Sequence, residues 1–389
     1  MRRALFLQYT NPAGYPPLQH AISILLDAGW TVHCFGAAPR AGAASLTLPT
    51  HPNLLVDMMQ RPAPGLLQKA HYLAYTLRCA WLTLTQRPDV VYASDQMAAP
   101  AALLALLVRC DNVIYHEHDA PSPSASGSQN IFSRLRNSIC RKATWIVVPN
   151  AGRASDLAQA AGIGDDRILI VFNCPSRSEL SASRLASEQV DRDATVWLYF
   201  HGSIVPDRLP VTVIEAMALL PDRVRLRIAG YETAGSLGYT QALKDRAREL
   251  GIEHRIEAVG AIPDRSALLQ FARHSHLGLA FMPMETDDVN MKHMVGASNK
   301  PFDYLACGCP LIVSDLQEWR DMFVDAKLAS ACDPRSAESI AKAVTFWLDD
   351  DKRYLEARQA GMRRIESEWN YEMQFAPVLR CIESSRSTQ

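Results

Sequence analysis

The stretch with the most chemistry in this 389-residue chain runs from Gly296 to Asp315, Gly-Ala-Ser-Asn-Lys-Pro-Phe-Asp-Tyr-Leu-Ala-Cys-Gly-Cys-Pro-Leu-Ile-Val-Ser-Asp. Small residues leading into Ser298, Asn299 and Lys300, with Pro301 at the natural start of a helix, predict an exposed helix N-terminus with a cation beside it. Such an end favours phosphate through its amides and its dipole. A second stretch, Phe200-His-Gly-Ser-Ile-Val-Pro-Asp-Arg-Leu-Pro210, predicts a strand running through a glycine turn into a helix. There Gly202 lets backbone approach a ligand, and Arg208 offers a fork of donors suited to a diphosphate. Both stretches could bind phosphate; the plainer readings are a tight helix-strand turn with a solvated lysine in the first and, for Arg208 taken alone, a solvated turn residue, which is the commoner case.

Other polar residues fall where predicted strands end. Asn11-Pro-Ala-Gly-Tyr-Pro-Pro17 joins a first strand to a first helix, with Gly14 as a point of close approach, and it is not a G-x-G-x-x-G fingerprint. Tyr115-His-Glu-His-Asp-Ala-Pro121 ends another strand. His116 and His118 at i, i+2 share a strand face and with Glu117 or Asp119 offer metal ligands, but no third well-placed ligand is visible, and a satisfied loop histidine is the commoner case. Asp95, in Ala93-Ser-Asp-Gln96, either faces a substrate or caps the next helix.

The elements positioning these residues alternate between short apolar runs and segments of helical period, twice over, as in parallel sheets covered by helices. Strand candidates in the first half are 4–8, 31–35, 89–92, 112–116, 144–148 and 168–172; in the second half they are 196–200, 224–229, 255–259, 277–281 and 310–313. Leu18, Ile22, Leu25 and Leu26 make one helix face that Gly29 ends. The polar stretch Ser176 to Thr195 has the composition of a linker, and residues 121–128, rich in Pro and Ser, predict a loop. The chain therefore reads as α/β, with two Rossmann-like doubly wound parallel-sheet domains whose carboxyl edges border a cleft. The expected boundaries are 1–185, 186–365 and a C-terminal helix over 366–389.

Composition narrows the classes. With 40 Lys and Arg against 41 Asp and Glu, no overall field attracts nucleic acid. The first half is slightly basic, and Arg134, Arg136, Arg141 and Lys142 cluster in it, which suits an anionic surface, though a solvated helix face is the commoner explanation. Nine scattered cysteines without a C-x-x-C pair suit a reducing compartment, and the longest apolar run, Met97 to Val108, is too short to span a bilayer. The expected address is cytoplasmic, with a peripheral contact on the inner face of the membrane as its extension.

The phrase Asn-Lys-Pro-Phe-Asp-Tyr-Leu-Ala-Cys-Gly-Cys-Pro-Leu-Ile-Val-Ser resembles the donor-binding segment of the nucleotide-sugar glycosyltransferases of GT-B fold, in particular the retaining family 4 type, and the likeness runs over nearly the whole chain. The resemblance implies that Ser298, Asn299 and Lys300 face donor phosphate or sugar and that Asp303 meets the ribose. Many members carry a glutamate eight residues earlier, where this chain has Val295. Gly202 and Arg208 match the family's phosphate turn, although Ser203 stands where a cation is common. Gly14 matches its glycine loop, Gly230 a cleft-edge turn, and Ala261 and Ile262 the turn that meets the nucleobase. His118, followed by Asp119, matches the histidine near the transferred sugar, with Asp95 and Asp119 on the acceptor side. The ending Trp369 to Phe375 matches the helix that returns to the first domain.

What the resemblance implies is glycosyl transfer from a nucleoside diphosphate sugar to a hydroxyl of a glycan or lipid-linked acceptor, with retention, in cell-envelope or extracellular glycan synthesis. No cofactor beyond the donor is expected. No D-x-D segment follows a strand, and Arg208, Lys300 and backbone amides supply the charge a metal would otherwise provide. A non-catalytic sugar-nucleotide-binding or scaffolding relative is the alternative suggested by Val295 and Ser203, and an epimerase would need carboxylates that the sequence does not show.

Overall fold

The computed structural model describes residues 2–38, 47–63, 65–108, 110–120, 131–184 and 194–384. The chain divides into two compact units: one made of Met1–Asn173, Asp288–Ala297 and Tyr371–Gln389, the other of Cys174–Asp287 and Ser298–Asn370. The Ser-rich loop expected at 121–128 lies outside the described residues.

Unit 1 is built on seven parallel strands, β1 (Arg3–Gln8), β2 (Thr31–Ala37), β3 (Leu54–Met59), β4 (Val90–Ser94), β5 (Val113–His116), β6 (Trp145–Val148) and β7 (Ile168–Ile170), in the order β3-β2-β1-β4-β5-β6-β7. The sheet's switch point lies between β1 and β4, so the loops after those strands define the edge where α/β sheets take ligands. Near-continuous apolar strands such as Ala-Leu-Phe-Leu in β1 are what a sheet covered on both faces requires. Helices α1 (Pro16–Asp27), α2 (Leu66–Gln86), α3 (Ala99–Leu107), α4 (Ile131–Lys142) and α5 (Ala151–Ala161) cover it. The C-terminal helix Tyr371–Ser384 belongs to this unit, where Tyr371, Phe375, Val378 and Ile382 join Phe6, Leu18, Ile22 and Tyr92 in one buried cluster.

Unit 2 repeats the plan with β8 (Val196–Ile204), β9 (Val224–Glu232), β10 (Ile256–Gly260), β11 (Leu277–Ala280), β12 (Leu311–Ser314) and β13 (Ala329–Cys332), in the order β10-β9-β8-β11-β12-β13, all parallel. Its switch point lies between β8 and β11. Strands β3 and β13 go beyond the sequence expectation. The first is an edge strand with Leu55 and Val56 exposed, and the second consists of Ala, Ser and Cys, which carry little strand preference. The presumed linker is shorter than its composition suggests, since Arg177–Arg184 forms a helix that starts inside unit 2. Among the described residues no helix is long and apolar enough to cross a membrane.

Candidate functional site

In unit 2, three residues at the carboxyl end of β8 and the start of the helix Lys300–Ala306 are brought together. Gly202 has φ of +109°, and a Cβ there would lie 3.1 Å from both Cε and Nζ of Lys300. Glycine at this position therefore leaves the room that the lysine occupies. Lys300 is buried, with its ammonium 5.4 Å from the centre of the Phe200 ring. Burial, reinforced by the neighbouring Arg208 and opposed by Asp303, lowers its pKa to about 7. Lys300 is thus a buried cation coupled electrostatically to Arg208 and Asp303.

Asp303, one turn into the same helix, is fully buried. Its carboxylate accepts from Nη2 of Arg265 at 2.7 Å and Nη1 at 3.1 Å, and Arg265 also binds Glu179. His201 Nε2 comes within 3.5 Å, but burial and the nearby Lys300 and Arg265 hold that ring neutral, so this approach is not an ion pair. Sequence reasoning missed Arg265 because its partner is thirty-eight residues away. In this structure the ribose expected at Asp303 would find both carboxylate oxygens already bonded to a guanidinium that is itself partly exposed.

The remaining donor-side residues are placed unevenly. Ser298 is buried and Asn299 half-buried just before the helix, where Asn299 makes no side-chain cap. Ala261 and Ile262 follow β10 on a turn opened by Gly260 at φ +85°. Gly230 pairs in register with Gly202, whose carbonyl oxygen would sit 1.9 Å from an added Cβ, so only glycine fits there.

In unit 1, residues at the ends of β1, β4 and β5 converge. His118 is buried, and among the described residues neither of its ring nitrogens has a hydrogen-bond partner. Its ring lies 3.9 Å from that of His116 and 5.5 Å from that of Tyr15. Nδ1 of His116 is engaged by the Tyr92 hydroxyl at 2.7 Å, and burial keeps His116 neutral. Among the described residues no group of three or more His, Cys, Asp or Glu could hold a metal ion. Gly14 is exposed, with open space where a Cβ would stand.

Asp95 stands at the N-cap of the short 3-10 helix Gln96–Ala98, but its side chain makes no cap hydrogen bond. It adopts φ 64° and ψ 166°, a conformation that a residue with a Cβ rarely takes and that costs about 1–3 kcal/mol. Its carboxylate accepts from the backbone N–H of His118 at 2.9 Å and from Gln8 Nε2 at 3.3 Å, and burial raises its pKa. Its effect is to hold the His118 loop. Asp119 is exposed and 3.6 Å from Arg153.

Arg153, on α5, is the second residue that sequence reasoning did not find. It donates to the carbonyls of His118, His293 and Asn290. Asn150 Nδ2 donates to His293 and Val295 at 2.8 and 2.7 Å, and Asn173 to Gly296 and Ala297 at 2.7 and 2.6 Å. These contacts draw the segment Asp288–Ala297, which closely precedes the helix Lys300–Ala306, into unit 1. Gly152 permits this, since a Cβ there would lie 2.2 Å from the His293 ring.

Comparison with known proteins bears on the fold and the family. Residues 18–174 match the model of the glycosyl transferase 4-like domain, and residues 187–364 match that of the glycosyl transferases group 1. Anabaena HepE in complex with UDP superposes with a TM-score of 0.72 at 17% identity, covering 99% of this chain and 100% of that one. Sucrose-phosphate synthase from Thermosynechococcus elongatus gives 0.72 at 14%, covering 100% of both chains. An E. coli structure described as trehalose-6-phosphate bound with UDP-2-fluoro glucose gives 0.68 at 12%, covering 98% of this chain and 99% of that one. No curated protein matches the sequence. With both matches lying on a pair of doubly wound units of GT-B type, the chain is a transferase enzyme belonging to the group 1 glycosyltransferases.

Proposed function

We propose that this enzyme transfers a sugar from a uridine diphosphate sugar to a hydroxyl of a glycan or lipid-linked acceptor, with retention and without a metal ion, in cell-envelope or extracellular glycan synthesis on the cytoplasmic side. The observation that carries the reading is the buried Lys300 ammonium, accommodated by Gly202 and electrostatically coupled to Arg208. HepE was solved with UDP, and another of the similar structures holds UDP-2-fluoro glucose, which supports the choice of nucleotide.

As the glycosidic bond breaks, negative charge grows on the departing diphosphate while the sugar becomes oxocarbenium-like. Lys300 and Arg208 stabilise that charge in a site already stripped of water, where fixed cations act most strongly. The acceptor hydroxyl oxygen bonds to the anomeric carbon on the face from which the diphosphate leaves, and its proton passes to the departing phosphate. His118, whose buried ring nitrogens are unpartnered among the described residues, orients a hydroxyl of the transferred sugar. Ser298, Asn299, Gly14, Ala261 and Ile262 line the donor, Asp119 faces the acceptor, and the ribose is met through the Arg265–Asp303 pair rather than a free carboxylate.

A thermal-shift screen over UDP, GDP, ADP, CDP and their sugars tests the donor, because a ligand of the native state raises its apparent stability. A rise with UDP and UDP-sugars is expected, and none with any nucleotide ends the proposal. Lys300→Ala and Arg208→Ala are each expected to lower transfer more than tenfold in folded protein. A second reading, binding without catalysis, draws on Val295 and on the occupied carboxylate of Asp303; nucleotide binding with neither transfer nor donor hydrolysis would favour it.

A further inference from the structure

Helix α2 has two apolar sides. One, with Tyr75, Cys79 and Leu82, is buried in unit 1. A surface helix ordinarily turns charged residues outward. Here the outward side carries Leu66, Leu73, Leu77, Trp81 and Leu84, each between 49% and 82% exposed. At about 100° per residue these five fall within an arc of roughly 80° along the helix. Lys69 lies beyond one margin of that arc and Arg78 beyond the other, with the Arg78 guanidinium 4.1 Å from the Trp81 ring centre.

The charge around this stripe has one sign. Helix α3 packs against both α2 and α4, and Tyr72 of α2 meets Phe132 of α4 at 5.6 Å between ring centres. None of the three helices contains an Asp or Glu, whereas Arg134, Arg141 and Lys142 of α4 are exposed. Leu107 and Ile131, 75% and 65% exposed, add apolar surface at the ends of α3 and α4. Arg136, grouped with these cations in the sequence, does not belong to the patch: it is buried, with Nε and Nη2 donating to Glu117 at 2.6 and 2.5 Å.

We propose that the outward face of α2 docks this enzyme on an anionic lipid bilayer, the leucines and Trp81 entering the headgroup boundary while Lys69, Arg78 and the α4 cations meet lipid phosphates. A one-sided apolar stripe flanked by basic residues lies in a membrane interface rather than across it. Symmetric pairing with a second copy would set the same patch against itself, cation against cation with no carboxylate on these helices to separate them. Anionic lipid supplies the complementary sign.

The test reads lipid binding and is independent of the donor chemistry. Full-length protein is sedimented with vesicles of phosphatidylcholine alone and of phosphatidylcholine mixed with phosphatidylglycerol. Wild-type protein should bind the mixed vesicles preferentially and more weakly as salt rises. The triple variant Leu73→Ser, Leu77→Ser, Trp81→Ser should bind at least tenfold more weakly, and Lys69→Gln with Arg78→Gln should remove most of the salt dependence. These side chains are exposed, so an unchanged circular dichroism spectrum is expected for each variant. Wild-type protein that ignores both kinds of vesicle, or a triple variant that binds as well as wild type, overturns the proposal. So does a dimer in sedimentation equilibrium that the triple variant dissolves while lipid binding is unchanged.

Discussion

Arg265 and Asp303 form a two-pronged pair, Nη2 to Oδ1 at 2.7 Å and Nη1 to Oδ2 at 3.1 Å, at a carboxylate with no solvent exposure. Removing one partner strands the other's charge in the interior, where breaking such a pair costs on the order of 3 kcal/mol. Arg265→Met is therefore expected to lower unfolding free energy by about that amount in urea titrations. The double variant with Asp303→Asn should recover most of the loss. Full stability in the single variant would show that water reaches the carboxylate.

Lys300 makes donor affinity depend on pH. Its pKa near 7 in the free enzyme should rise when a diphosphate settles beside the ammonium, so binding takes up a proton at higher pH. Below pH 7 the lysine is already charged and affinity should be flat with respect to this group; above pH 7 it should weaken as pH rises. The same lysine, with its folded pKa below the unfolded value of 10.5, costs stability most fully below pH 7, and that cost is relieved as pH climbs through 7 towards 10.5. Calorimetry of UDP binding at pH 6.5 and 8.5 in buffers of different ionisation enthalpy checks the proton uptake. Buffer-independent heats at pH 8.5 would count against the assignment.

Two glycines should respond in opposite ways to alanine. Gly202→Ala strains a left-handed backbone and presses on Lys300, so it should cost about 1–3 kcal/mol and weaken UDP binding together. Gly14→Ala meets open space within the protein and should leave the melting temperature unchanged. If a donor comes close there, transfer should nevertheless fall at least tenfold; unchanged transfer would remove Gly14 from the site.

Arg153 should act on both stability and turnover. Arg153→Met deletes donors to the carbonyls of His118, His293 and Asn290, leaving one buried and two half-buried acceptors without this partner. A loss of about 2 kcal/mol, with kcat falling more than KM rises, is the expected result. Steady-state kinetics on the folded variant separate this from simple unfolding.

Strands such as Trp197-Leu-Tyr-Phe200 and Val147 with its neighbours announce themselves, because a sheet buried on both faces demands unbroken apolar runs. Ala329-Ser-Ala-Cys332 carries no such signal and becomes a strand through its place beside β12. Gly202 and Lys300 were legible as residue types at a strand end and a helix start. Their physical relations were not. That Gly202 makes room for Lys300, that Gly230 is dictated by the carbonyl of Gly202, and that Asp303 answers to Arg265 are all contacts between distant positions, invisible to local pattern.

The route of the chain carries a consequence for how this molecule is made. Unit 1 includes residues 288–297 and its closing helix begins at Tyr371, so a nascent polypeptide emerging from the ribosome can finish unit 2 while the first unit still waits for Phe375, Val378 and Ile382 to cover Phe6 and Tyr92. Translation halted shortly before Tyr371 would release a chain whose early half remains open at its apolar heart. Deletions at the far end should therefore injure the N-terminal unit first, and neither unit can be cloned as a single uninterrupted stretch without leaving part of itself behind.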